Sequence, residues 1–184
     1  KQVKYNTCKS LLDRMNKYGV TESAISNMNG IFYKNVQSAN EELFEEIRSD
    51  RIFHDRFIPF AVLNPLYAGW RDDLETCHMK MGMKGIRLYP LYHDYELTDP
   101  SCIELVKIAR DRGLPVALTL RLVDSRQRSW MDIPKEWTLK DIIPIIQEVP
   151  DAKYLILNVA NSMELETEEA ELLKKTDMVI DTSG

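Results

Sequence analysis

Six short apolar runs, each separated from the next by a stretch of helical periodicity, constrain this chain more than anything else in its sequence. They are Glu22–Met28, Arg56–Asn64, the KGIRLYP stretch around Ile86, Leu114–Leu122, Tyr154–Ala160 and Met178–Thr182. Turn-forming residues such as Asn64-Pro65 close them, which marks them as strands. The intervening segments read as helices. Thr7 caps one that carries Leu11, Leu12, Met15 and Tyr18 on one side and stops at Gly19. Asn35–Asp50, Trp70–Met81, Asp99–Arg112, Thr138–Val149 and Glu164–Lys175 follow, with Pro144 predicting a kink or a break in the fourth of these five. Asp99-Pro100 supplies an N-cap and a proline at the first helical position.

Strand–helix alternation of this kind builds βαβ units, hence a parallel sheet whose crossovers run right-handed. The sheet is either open and doubly wound or closed towards a barrel. No glycine-rich phosphate turn follows the first strand, so a dinucleotide-binding sheet has little support. The expected class is α/β, a (β/α)8 TIM-barrel-like parallel barrel, incomplete at about six strands, in one domain over residues 1–184. The chain opens at Lys1 and stops just past its sixth strand, which raises the expectation of a cut at both ends. An incomplete barrel leaves two raw sheet edges, so longer flanks or a partner, including a homo-oligomeric one, is expected to cover them.

Charge narrows the partners. The net charge is −5 and no basic block occurs, which argues against nucleic acid. No apolar run approaches the ~18 residues of a membrane span, and no secretory leader precedes the first helix. Cys8, Cys77 and Cys102 are odd in number, form no CxxC and fall in helical stretches. Reduced thiols in a reducing, cytoplasmic compartment are the expectation.

In a barrel of this type the chemistry gathers at the C-terminal ends of strands. Here those ends are Asn27, Asn64, Arg87 with Tyr89, Thr119 with Arg121, Asn158 and Asp181. Alternation in PVALTLR sends Val116, Leu118 and Leu120 towards the helices and leaves Ala117, Thr119 and Arg121 for the interior. Arg87 and Arg121 would then converge with Arg126, from the long turn-rich connection Val123–Trp137. Either Asp124, Asp181 and other carboxylates neutralise these guanidinium groups, or they await an anion, which arginine grips through two parallel hydrogen bonds. Tyr92 and His93 follow Tyr89 at once. His93 suits proton transfer near neutral pH, or equally a hydrogen bond within its own loop. His54 and His78 lie away from the rim, and no GxSxG signals a nucleophile.

The runs RFIPFAVLNP, GMKGIRLYPLYHDYELTDP and RGLPVALTLRLVDSR, with GIRLYPxYHxY as signature, resemble the amidohydrolase-related family of the amidohydrolase superfamily. The resemblance implies a metal-dependent TIM-barrel hydrolase, with decarboxylases among its relatives, and zinc or another divalent ion as the usual cofactor. Its metal ligands do not carry over. The HxH pair would precede Lys1, the final aspartate would lie beyond Gly184, and the two expected histidines align with Thr119 and Asn158. Neither residue replaces an imidazole on zinc.

The expected activity is therefore hydrolysis or decarboxylation of a small anionic metabolite at the barrel mouth. Its acid–base candidates are His93, Tyr89 and Asp181, and its substrate contacts Arg87, Arg121, Arg126, Tyr92, Asn64 and Asn158, with no metal ligand assigned. The alternative is a catalytically degenerate barrel kept for binding or structure.

Overall fold

Six parallel strands pair in the order in which they occur along the chain. The computed structural model describes residues 7–122, 130, 133, 135, 137–159 and 165–181. The strands are β1 (Ser23–Ile25), β2 (Phe57–Val62), β3 (Gly85–Leu88), β4 (Val116–Thr119), β5 (Tyr154–Leu157) and β6 (Met178–Ile180). Sequential order decides the architecture. A doubly wound sheet reverses its strand order part-way, whereas right-handed crossovers that never reverse put every helix on one face. The other face then curls inward, and the sheet is a half-barrel.

The helices are α1 (Cys8–Tyr18), α2 (Val36–Arg48), α3 (Arg51–Arg56), α4 (Trp70–Glu75), α5 (Pro90–His93), α6 (Pro100–Asp111), α7 (Leu139–Glu148) and α8 (Thr167–Lys175). Thr7 caps α1 reciprocally with Ser10, and Gly19 ends it with φ of 69°. The buried stripe of α1 is Cys8, Leu12 and Met15, while Tyr18 stands 65% exposed because that stripe ends one turn earlier than its spacing suggested. On α6 the inward residues include Cys102 and Leu105, with Ile103 only half-buried. Pro144 does not divide α7 into pieces. Ile142, Ile143, Ile145 and Ile146 are all buried around it, and their packing holds the helix together where one backbone hydrogen bond is lost. Three short elements carried too little periodicity to be read from sequence: α3, α5 and the 3-10 turn Met28–Ile31.

Alternation along the strands splits the residues as expected. Ile86, Leu88, Val116, Leu118, Tyr154 and Ile156 join the main core beneath the helices. Phe60, Val62, Gly85, Arg87, Ala117 and Thr119 occupy the opposite, concave face by the same two-residue period. Gly85 pairs with Phe60, and a Cβ at Gly85 would lie 2.5 Å from the Phe60 ring, so the ring lies over the glycine and fills the lower part of that face. Ile31, Val36, Val62 and Tyr89 form a smaller cluster nearer the mouth. At the far side Val179, on the concave face of β6, is 61% exposed, as an unclosed barrel requires.

Cys8, Cys77 and Cys102 are free and buried, and burial pushes each thiol up to about 12. Among the described residues no helix is long and apolar enough to cross a membrane.

Candidate functional site

Arg87 is the third residue of β3, opposite Val62 on one side and Ala117 on the other, which aims it into the concavity. Its Nε donates to Thr119 Oγ1 at 3.1 Å, and its Nη1 donates to Ser26 Oγ at 3.0 Å. The guanidinium carbon lies 5.0 Å from the centroid of the Tyr89 ring. The plane of the guanidinium is thus fixed by two hydroxyls, from the end of β4 and from just beyond β1, and by an aromatic face. All of these partners are neutral. Among the described residues Arg87 forms no ion pair, although the side chain is half-buried.

Tyr89 directly follows β3 and is 1% exposed. Burial raises its phenol above the ordinary range, against the pull of the Arg87 charge and a hydrogen bond with Ser26. His93 closes α5, the helix opened by Pro90, with Asp94 in the left-handed region behind it. Its Nε2 lies 3.1 Å from the Gly30 carbonyl, and its ring meets Tyr89 edge-on at 6.3 Å. Burial lowers its pKa, while the Gly30 carbonyl acts in the opposite sense. With Nε2–H donated to that carbonyl, Nδ1 carries the lone pair, and this buried atom has no partner. A Cβ on Gly30 would come within 2.9 Å of Val62 Cγ1, so only glycine brings the carbonyl so close.

Arg87, Thr119, Tyr89 and His93 are thereby brought together. Ser26 completes the group and was missed, because a serine at a strand end carries no signal until its partner is known. Asn64 Oδ1 accepts from the Leu66 N–H at 3.0 Å, a local turn bond. Tyr92 packs on the Ile31, Val36, Val62 and Tyr89 cluster. Arg121, two residues past Thr119, is half-exposed. Asp181 follows β6, where its N–H donates to the Ile156 carbonyl at 2.8 Å. Arg126 lies outside the described residues.

Asn158, which the resemblance aligns with a histidine, directly follows β5. It leaves β5 in the left-handed conformation with φ of 58°, and the register places Leu157 opposite Thr119. The position level with Thr119 on β5 is therefore aliphatic.

A cavity of about 570 Å³ runs along the outer edge of β1, with Arg87, Ser26 and Asn27 on one side and Leu11, Leu43 and Glu42 on the other. Glu42 accepts hydrogen bonds from Tyr33 Oη at 2.8 Å and Asn27 Nδ2 at 2.9 Å, and these hold its carboxyl below the usual range.

The donors present do not fit a divalent ion. Among the described residues no three His, Cys, Asp or Glu side chains gather to hold one. Thr119, where an imidazole would be needed, already accepts from the cationic Arg87.

No known family profile matches the chain, and no curated protein matches it. Solved structures do. An uncharacterised TIM-barrel protein from Bordetella bronchiseptica superposes with a TM-score of 0.67 at 13% identity, over 94% of this chain and 58% of that one. Amidohydrolase 2 from Bifidobacterium longum subsp. infantis gives 0.58 at 17%, over 97% and 61%. A 2,6-dihydroxybenzoate decarboxylase from Rhizobium gives 0.56 at 16%, over 80% and 54%. The chain thus spans 54% to 61% of the length of these proteins. At such identities the likeness is one of fold, and the fold is that of an incomplete (β/α)8 barrel.

Proposed function

We propose that the concave face of this half-barrel binds a small carboxylate- or phosphate-bearing metabolite at Arg87 and acts on it by hydrolysis or decarboxylation. One observation carries this reading: a half-buried guanidinium whose partners are two hydroxyls and a ring, with no carboxylate among the described residues to balance it. Buried charge is costly unless paired, and an incoming anion supplies the pair. Among the described residues Nη2 has no hydrogen-bond partner, and a charge-assisted bond from it to a ligand is about twice as strong as a neutral one. Among the structural neighbours, the decarboxylase takes its name from an aromatic carboxylate.

In this reading His93 is the proton acceptor, because its buried Nδ1 keeps a lone pair at neutral pH. Tyr89, kept protonated by burial, is the neutral donor beside the bound anion. Asp181, Arg121, Arg126, Tyr92, Asn64 and Asn158 are proposed as outer contacts of the same mouth.

Calorimetric titration of small carboxylates and inorganic phosphate into wild type and Arg87→Met tests the proposal. Loss of an interaction with a charged group should weaken the best ligand about 10- to 100-fold. Equal affinities in the two proteins would end the reading. A second reading, a binding module without turnover, is favoured by Thr119 and Asn158 standing where the resemblance calls for imidazoles. Tight binding with neither CO₂ release nor bond cleavage from any bound ligand would select it.

A further inference from the structure

We propose that the guanidinium of Arg87 is itself the fixed cation of this mouth, so that an anion binds there without a divalent metal ion. The inference rests on the anion reading above and adds what supplies the positive charge. Metal-dependent hydrolysis, which the family resemblance implies, needs imidazole or carboxylate donors at the strand ends. At the two positions that the resemblance aligns with histidines, this chain carries Thr119, at the end of β4, and Asn158, just past β5.

The Thr119 hydroxyl is also committed. Its oxygen accepts from Arg87 Nε at 3.1 Å. A metal ion bound to that oxygen at about 2.0–2.2 Å would stand no more than about 5 Å from the guanidinium, with the same sign of charge. The thiols do not supply the missing donors: Cys77 and Cys102 are buried in the main core, and Cys8, which lines the same cavity as Arg87, joins no group of three metal-binding side chains among the described residues.

Arg87 meets the requirements of a resident cation in its own right. It is charged at every relevant pH, and a guanidinium is more weakly hydrated than an ammonium, so it tolerates partial burial. Ser26 and Thr119 orient its plane from opposite sides of β3, and the Tyr89 ring supports it through its electron-rich face. Hydroxyls and a ring hold the group in place without cancelling its charge. A carboxylate partner would have oriented it equally well and removed its capacity for an anion.

The test uses benzoate and inorganic phosphate as probes, with dissociation constants measured calorimetrically on three preparations of wild type: as purified, after exhaustive dialysis against EDTA, and with zinc restored. Bound metal is counted by mass spectrometry in each. The expected result is the same affinity after EDTA to within about twofold, and unchanged or weaker affinity with zinc, because the two cations repel. Arg87→Met should lose binding by about tenfold or more, and Arg87→Lys, which keeps the charge but not the planar fork, should recover part of it.

Probe binding that disappears with EDTA, returns with zinc and accompanies stoichiometric metal would overturn this inference and leave the anion reading intact. No probe binding in any preparation would overturn the anion reading itself. The EDTA comparison needs no variant, so a folding defect in Arg87→Met does not disable the test.

Discussion

The side-chain amide of Asn40, on α2, takes both backbone hydrogen-bonding groups of Val62, on β2. Nδ2 donates to the Val62 carbonyl at 2.9 Å, and Oδ1 accepts from the Val62 N–H at 2.8 Å. β1 pairs with β2 only as far as Pro59, so Val62 has no strand partner on that side. A fully buried amide on a helix therefore does the work of the missing strand, one residue pair away from Arg87.

Asn40→Ala would leave a buried N–H and a buried C=O unsatisfied, at about 1–3 kcal/mol each, so a total loss of about 2–6 kcal/mol is expected. The urea midpoint reports it. An unchanged midpoint would mean that water or a rearranged loop takes the place of the amide.

Gly85→Ala should destabilise by about 1–3 kcal/mol, since the added methyl meets the Phe60 ring. Phe60→Leu in the same chain should restore part of that loss, and a double-mutant cycle isolates the coupling. Strict additivity of the two substitutions would contradict the close approach.

Thr119→Val removes a hydroxyl from Arg87 while keeping shape and charge. It should cost stability by about 1 kcal/mol and weaken benzoate a few-fold, because one hydrogen bond that orients the guanidinium is lost. A loss as large as that of Arg87→Met would indicate that Thr119 contacts the ligand directly.

His93 predicts a pH dependence whose sign follows from its environment. Burial disfavours the imidazolium in the folded state, so its folded pKa lies below the unfolded value of 6.5. The unfolded chain then binds the proton more readily. Stability from this group is full above 6.5 and falls as the solution is acidified through that value to the folded pKa. Urea midpoints of wild type and His93→Gln, compared between neutral and mildly acidic pH, should show the slope shallower in the variant. Parallel slopes would place the titration elsewhere.

The buried thiols give a simpler check. Native protein at mildly alkaline pH should resist a disulfide reagent at all three cysteines, and urea should release them together, since burial holds them protonated. Fast reaction of one thiol in the native state would mark a locally open helix.

Much of the architecture could be read before the fold was known. The two-residue period of KGIRLYP and PVALTLR separated Arg87 and Thr119 from Leu88 and Leu118, because strand geometry fixes the side-chain period locally. Thr7, Asp99-Pro100 and Thr138 marked helix starts for the same reason: a cap acts within one turn of itself. Sequential strand–helix units with one handedness then left little choice but a curling parallel sheet.

What pairs across the molecule was decided only by tertiary packing. Ser26 reaches Arg87 from 61 residues away, and the Gly30 carbonyl reaches His93 from 63. Leu157, at the end of β5, stands level with Thr119, and Asn158 takes a left-handed conformation just beyond it. Pro144 stays inside one helix because the isoleucines around it are buried. Periodicity and caps are properties of a few neighbouring residues, set by backbone geometry. The neutral partners that Arg87 has among the described residues depend on which strand ends meet, and only the packing of distant segments determines that.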